Sequence, residues 1–448
     1  MKKEKFGIVL PIVLLSYFMI ILDNSIIFTS TNKIAQDLSL STQSLAWITN
    51  AYALTFGGFL LFAGKAGDII GRKNFFIIGL IIFSISSLFV GMATNATVII
   101  LMRAVQGFGS AILAPSSLAL LMDSYQENMR TKAIAYYGAT GGISASFGLV
   151  IGGIIATYTS WRVGFFINFP IGILLLWLSI KYFEKSKVYQ QRIDYIGTIL
   201  SFIGIVALVY SLDGVVYRVI SLILAIVFLG MFIRHESETK NPIMPLTLFK
   251  DKERMYAYLT RFFFMGVGIS YFFLTPLAMQ RVYDFTPLQS AIGFLPETIP
   301  QFITALIVTR LTTKYRISSI IIFGVSLLLV GVALSAYLGI QAGYWVGIGL
   351  PMVIIGIGQG AALGTLTIAG VAHTTSELSG AASGVVNTVH QIGGSVGLSI
   401  VVALTSQYIN PAKQYNISLV LLTLFAVIAL VFSVGIFKGE QQFNKLHD

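Results

Sequence analysis

Fourteen times along the chain a run of about twenty mostly apolar residues recurs, near 7–31, 44–63, 74–94, 96–122, 131–157, 161–183, 193–212, 216–233, 254–280, 286–311, 317–338, 343–369, 377–408 and 416–437. Each is long enough to carry a helix across the hydrocarbon core of a bilayer. Little chain remains for a soluble domain, and the balance of residue types agrees. Of the 448 residues 56% are hydrophobic and 10% charged, where a soluble domain carries about 25% charged. The pattern predicts an all-α membrane protein. With no cysteine in the sequence, disulfides, thiol nucleophiles and thiolate metal sites are excluded.

The net charge of +11 is not spread evenly. Most Lys and Arg fall in one alternating set of connections and at the two ends, the bias that marks the cytoplasmic side of a multispanning chain, so the excess reads as topology and not as a nucleic-acid surface. An even number of spans returns the basic C-terminal stretch to the side of "MKKEK", which predicts both termini in the cytoplasm of a multi-pass plasma-membrane protein. The basic start imitates a secretory signal, but its apolar stretch is too long and no small-residue cleavage pattern follows; a retained first span is expected. Trp47, Trp161 and Trp345 fall at span starts on the opposite side, where an indole suits the headgroup layer.

Two long polar connections, 181–192 and 234–253, isolate two spans between two groups of six. The expected division is an N-terminal six-helix bundle over 1–183, a linker with two inserted spans over 184–253, and a C-terminal six-helix bundle over 254–448. The groups echo each other. "RAVQGFGSAILAP" in the fourth span has a weaker partner in "IGIGQGAALGTL" in the twelfth, and "VIGGII" in the fifth answers "QIGGSV" in the thirteenth. Equivalent spans differ by eight, as two parallel repeats separated by a two-helix insert require. Such repeats are common in secondary transporters.

Charge within a span costs on the order of 2.5–3.5 kcal/mol and marks function by default. Four such residues stand out: Asp23, Arg103, Arg261 and Glu297. Asp23 lies deep in the first span, placed to bind and release a proton or, alternatively, to pair with an arginine and hold helices together. Glu297 sits between Pro296 and Pro300, which remove backbone donors and favour a kink; it could bind a proton or a cationic substrate, or be a structural acid. Arg103, Gln106, Gly107 and Ser110 share one helix face by their spacing, and the arginine needs an acid, carbonyls or water because lipid offers no partner. Arg261, nearer its span's end, could snorkel.

In the fifth span Gly141, Ser144, Ala145, Gly148 and Gly152 form a small-residue strip along which helices can approach closely or slide. The ninth, "RFFFMGVGISYFFLTPLAMQ", has the aromatic and Met content of an adaptable apolar cavity, with Phe263 and Tyr271 among its candidate substrate contacts. His390 is membrane-embedded and titratable in principle, or simply hydrogen-bonded between helices. "GDIIGRKN" lacks the spacing of a phosphate-binding loop. "GGSVG" at 393–397 meets G-x-S-x-G literally but falls within a helical run, not at a strand-to-helix elbow. No paired-histidine metal signature is present, and neither cofactor nor metal is expected.

Several motifs together carry a resemblance. "GKAGDIIGRK" between the second and third spans resembles the G-x-L-x-D-R-x-G-R-K loop of the major facilitator superfamily. "ILDNSIIFTS" is similar to L-D-x-T-I-V-N-V-A-L-P, "RAVQGFGSA" to R-x-x-Q-G-x-G-x-A, and "WRVGFFINFPIG" to the W-R-x-x-F-x-I-N-x-P-I-G run of fourteen-span drug:proton antiporters. The resemblance extends through "GFLP" and "SGAASGVVNTVHQIGG". It implies a major facilitator fold, two six-helix bundles plus two inserted helices, and a proton-coupled multidrug efflux antiporter that exports hydrophobic, often cationic compounds by alternating access.

Carried over residue by residue, the resemblance makes Asp23 the proton-coupling acid and Arg103 its arginine; Glu297, which no family motif covers, is a further coupling candidate from its charge within a span. Substrate contacts are expected at Glu297, Phe263, Tyr271, Gln106 and His390, and a gating helix at Ser144, Gly148 and Gly152. Gly64, Asp68, Gly71, Arg72 and Lys73 take the cytoplasmic latch. The expected partners are the lipid bilayer, small lipophilic drugs and protons or sodium, with no nucleic acid, and the protein is expected to be a monomer and not an enzyme. The alternative is a symporter or facilitator for uptake of a small metabolite. Some positions depart from the family pattern: Ile69 stands for an arginine in the latch, Phe28 and Asn32 for the usual Asn and Pro, and Ser144 and Leu149 for the Gly and Pro of the antiporter signature in the fifth span.

Overall fold

A computed structural model of the chain describes residues 6–184, 193–214 and 216–447; residues 185–192 of the first polar connection lie outside the described residues. Among the described residues all regular secondary structure is helical, which lets a backbone in lipid, with no water to bond, satisfy its own N–H and C=O groups. The spans are α1 (Val9–Leu38), α2 (Thr42–Ile70), α3 (Arg72–Gly91), α4 (Ala96–Ser124), α5 (Glu127–Tyr158), α6 (Trp161–Tyr182), α7 (Tyr195–Asp213), α8 (Arg218–Glu238), α9 (Lys252–Val282), α10 (Pro287–Leu311), α11 (Ile317–Leu338), α12 (Tyr344–Gly370), α13 (Ser376–Thr405) and α14 (Pro411–His447). Among the described residues thirteen helices are long and apolar enough to cross a membrane; α5, at 32 residues, has the length of the remaining expected span.

Local chemistry sets the helix starts. The side chains of Ser41, Asn95 and Asp251 accept from the backbone N–H groups of Ser44, Val98 and Arg254 at 3.2, 3.0 and 2.9 Å, opening α2, α4 and α9. Each satisfies a donor that the first helical turn leaves open. Two helices are irregular. α6 breaks at Ile167 into Trp161–Phe166 and Asn168–Tyr182, just before Pro170, which has no N–H to give. α12 opens with a wide π turn over Tyr344–Gly349.

The chain separates into two compact units, one of residues 1–198 with 286–288, the other of 199–285 with 289–448. Within the first, α2 and α3 pack on α4, α1 packs on α4, α5 and α6, and α3 packs on α6. Within the second, α10 and α11 pack on α12, α9 packs on α12, α13 and α14, and α11 packs on α14. Adding eight to each helix number of the first set gives the second. The close crossings repeat as well. A Cβ on Gly107 of α4 would run into the main chain of Tyr52 on α2, 2.9 Å from its Cα, and one on Gly360 of α12 would come within 2.9 Å of the Cβ of Thr304 on α10. A side chain at either glycine would push two helix backbones apart.

One boundary differs from the sequence reading in a way that matters. Gly64, Lys65 and Asp68 do not belong to a loop: α2 continues through them to Ile70, and only Gly71, at φ +92°, breaks the chain before α3. Lys65 and Asp68 are therefore polar residues within α2, whose backbone bonds continue through them, and Arg72 opens α3.

Candidate functional site

Asp23 occupies the middle of α1 with no solvent exposure. Its Oδ2 accepts from Nη1 of Arg103 at 2.5 Å, and its Oδ1 accepts from Nε2 of Gln106 at 2.8 Å and Nδ2 of Asn168 at 2.9 Å. All three partners donate, the arrangement a carboxylate accepts; a protonated acid would bring a donor into a ring of donors. Arg103 is equally buried. Besides Asp23 it donates to Oε1 of Gln106 (2.8 Å), Oδ1 of Asn24 (3.2 Å) and the carbonyl of Ile48 (3.3 Å), and its guanidinium lies 4.2 Å from the Tyr52 ring centroid. The Tyr52 hydroxyl in turn donates to Ser110 at 2.6 Å.

Four helices therefore hold one ion pair. The face of Arg103, Gln106 and Ser110 is the one the spacing predicts, and the arginine finds the acid that lipid cannot provide. Asn24, Tyr52 and Asn168 were not expected. Asn168 reaches Asp23 because α6 restarts there after its break at Ile167, and its Nδ2 also donates to Ser87 at 2.9 Å. The signal for it was the "INFP" stretch, an amide just before a helix-interrupting proline.

The strip on α5 bears directly on this site. Cβ atoms built on Gly148 and Gly152 would lie 2.7 Å from the Cβ of Ser25 and 2.9 Å from the Cα of Ile26, so α5 runs against the turn of α1 that follows Asp23. Ser144, in the same strip, is buried and bonds back to the carbonyl of Thr140 on its own helix.

In the second unit Glu297 on α10 is fully buried. Its Oε1 accepts from Nε2 of Gln359 at 2.7 Å, and its Oε2 has no hydrogen-bond partner. Gln359 is the residue that "IGIGQGAALGTL" sets opposite Gln106, so the repeated glutamine serves an acid in both units. Here no cation accompanies the acid: among the described residues none lies within ion-pair distance of Glu297. Arg261 on α9 does not snorkel. It is 4% exposed and donates to the carbonyl of Leu363 (3.2 Å), Oγ1 of Thr367 (2.8 Å) and Nδ1 of His390 (3.1 Å).

Other expected contacts are placed as follows. Tyr271 is fully buried beside Phe294, with ring centroids 6.1 Å apart. Phe263 stacks on Phe432 of α14 at 5.7 Å. A hollow of about 580 Å³ is lined from α10 and α12, by residues including Pro296, Ile299, Pro300, Tyr344 and Trp345, with no α9 residue in its walls. Its walls come from the turns that flank Glu297, whose own carboxyl is not among them.

At the start of α3, Arg72 donates from Nε to Asp68 of α2 at 2.9 Å and pairs with Asp123 of α4 at 2.6 Å. Lys73 donates to the carbonyls of Ile180 and Phe183 at the end of α6, at 3.0 and 2.5 Å. These contacts tie α2, α3, α4 and α6 together inside one unit. A Cβ on Gly64 would meet nothing within 4 Å, so that glycine is not required by packing. "GGSVG" lies inside α13, as its helical setting predicts.

The molecule is a many-span helical membrane protein that buries acids, arginines and amides inside its units. Residues 13–398 match the Major Facilitator Superfamily; the chain belongs to that family and is a membrane transporter, not an enzyme. It is 30% identical over 404 residues to the cephamycin export protein CmcT of Amycolatopsis lactamdurans, covering 87% of this chain and 83% of that one. It is also 30% identical over 413 residues to the multidrug transporter protein MdtP of Bacillus subtilis, covering 90% and 76%. A further relative, the uncharacterized MFS-type transporter EfpA of Mycobacterium tuberculosis, is 29% identical over 395 residues, covering 86% and 74%. Among solved structures, the POT family transporter PepTSo aligns with a TM-score of 0.72 at 13% identity over 99% of both chains. The D-xylose-proton symporter aligns at 0.71 and 13% over 95% of this chain and 96% of that one. These likenesses are of fold.

Proposed function

We propose that the protein is a proton-driven exporter of lipophilic, often cationic compounds, working by alternating access in the bacterial cell membrane as a monomer with both termini in the cytoplasm. The observation that carries the reading is the buried Asp23–Arg103 pair, clamped by Gln106 and Asn168. Transfer of a proton to Asp23 removes the charge that holds Arg103 and turns one acceptor oxygen into a donor, so the network has to rearrange. It spans α1, α2, α4 and α6, and α5 bears on the same turn of α1. A proton can thereby bias helix packing, provided the two packings differ in their affinity for it. Glu297, which has no cation within ion-pair distance among the described residues, serves as a second binding point for a proton or for the positive group of the cargo. The names of CmcT and MdtP, an antibiotic exporter and a multidrug transporter, support an efflux role, and the reading treats 1–183 and 254–448 as the two moving bundles with 184–253 as the insert.

The test is transport in proteoliposomes under an imposed proton gradient, followed with a fluorescent lipophilic cation. Wild type should drive the cation against its gradient in exchange for protons, and Asp23→Asn should abolish that movement while leaving facilitated equilibration. Undiminished active transport by the variant would remove Asp23 from the mechanism. Cotransport of cargo and proton in the same direction would replace export by symport, and a response to sodium alone would change the coupling ion.

A further inference from the structure

Arg261 is a permanent cation buried in the second unit with no carboxylate beside it among the described residues. Its guanidinium is only partly used. Nη1 donates to the Leu363 carbonyl and to Thr367, and Nη2 gives one hydrogen to Nδ1 of His390. Nε, equally buried, has no partner, and no acceptor among the described residues takes the second hydrogen of Nη2. Arginine only donates, so Nδ1 of His390 is an acceptor here and the ring's proton sits on Nε2, a further donor beside the guanidinium.

The surroundings are open on one side. Leu363, Thr367 and His390 are each half-buried, and Gly364 and Asn387 are exposed. A Cβ on Gly364 would meet nothing within 4 Å. The exposed Asn387 bonds back to the carbonyl of Ser383 on its own helix at 3.0 Å. Polar side chains exposed well inside a span line water or a cavity in place of lipid. A buried cation with unspent donors, set behind a polar and accessible rim, is built to meet an anion, and a planar carboxylate matches the fork of a guanidinium.

We propose that Arg261 is a receptor for a carboxylate on the transported compound, with Thr367 and His390 holding the guanidinium in place. The substrate class then includes lipophilic zwitterions and acids as well as simple cations. This inference rests on the export reading and extends its cargo to compounds that carry a carboxylate.

The experiment measures equilibrium binding to purified full-length protein, without any gradient, by fluorescence anisotropy. The probes are rhodamine B, whose benzoate is free, and its ethyl ester, which keeps the cationic dye and lacks the carboxylate. Arg261→Gln should weaken rhodamine B by about tenfold or more, the scale of a lost charged hydrogen bond, while the ester changes by less than about twofold. Arg261→Lys should fall between, since it restores charge without the fork. Sodium benzoate should compete with rhodamine B on the wild type, and sodium chloride at equal ionic strength should not.

Equal loss of both probes would make Arg261 a packing residue and overturn the proposal, as would no loss of either. Competition by chloride as strong as by benzoate would overturn it in favour of a small inorganic anion. Gradient-driven export of the ester by wild type, measured alongside, keeps the two readings apart. If the ester is pumped and Arg261→Gln does not discriminate between the dyes, the carboxylate site fails and the exporter stands.

Discussion

The two units repeat a packing scheme but distribute their charge differently. In the first, the acid and the base meet: Asp23 and Arg103 are 2.5 Å apart, ringed by donors and acceptors from four helices. In the second they are held separately, Glu297 by a single amide of Gln359 and Arg261 by two oxygens and an imidazole nitrogen. A closed ion pair within low dielectric is a structural commitment, and undoing it requires a proton or a competing charge. Two separated, underused polar groups leave room for something from outside. Under the proposed function the contrast divides the labour: the first unit answers to the proton, and the second, with Glu297 open to a proton or a cation and Arg261 to an anion, meets the cargo.

The largest effect should come from stranding a charge. Arg103→Met leaves Asp23 buried without its cation and should cost about 3–5 kcal/mol, read as a lowered thermal midpoint in detergent. Arg261→Met strands no carboxylate and should cost clearly less. Equal losses would break the comparison between a closed pair and an isolated cation. Next in size, Gly148→Leu forces a side chain into the α1–α5 contact and should destabilise by about 1–3 kcal/mol, with transport falling further than stability because the displaced segment belongs to Asp23's helix. An unchanged transport rate would separate the strip from the site.

Glu297→Gln should move the thermal midpoint by less than about 1 kcal/mol equivalent, since the substituted amide replaces a carboxyl group that has no ion pair to lose. Its effect should appear in proton exchange. A loss as large as that of Arg103→Met would mean that Glu297 has a countercharge after all. The smallest effect is expected at Asp123→Asn. That half of the Arg72 pair is 51% exposed, and surface pairs contribute about 0–1 kcal/mol.

How much of this was visible beforehand depended on charge and spacing. Asp23, Arg103 and Glu297 announce themselves because ions in apolar runs are costly, and Gln106 follows from its register with Arg103. Asn24 and Tyr52 carry no such signal, and Asn168 only the amide before Pro170: neutral polar residues are common in spans, and only the folded chain brings α2 and α6 to the pair. The meeting of Arg261 with His390 was hidden for a related reason, since the two lie on α9 and α13 and neither has a periodic partner on its own helix. Gly64 and Asp68 were misplaced into a loop because polarity was taken to end the helix, whereas α2 continues through both to Ile70. The fold itself was legible from the fourteen runs and the offset of eight, which reappears as the repeated set of helix contacts.

In the proposed exporter, cargo and proton compete for the same protein. That competition is tested most directly by counting protons released when a saturating lipophilic cation is added to purified protein in weakly buffered solution. Release by wild type, reduced in Asp23→Asn and in Glu297→Gln and absent in the double variant, is the predicted result. Binding of the cation with no proton released at any pH between about 5 and 8, a window that brackets neutrality, would contradict it.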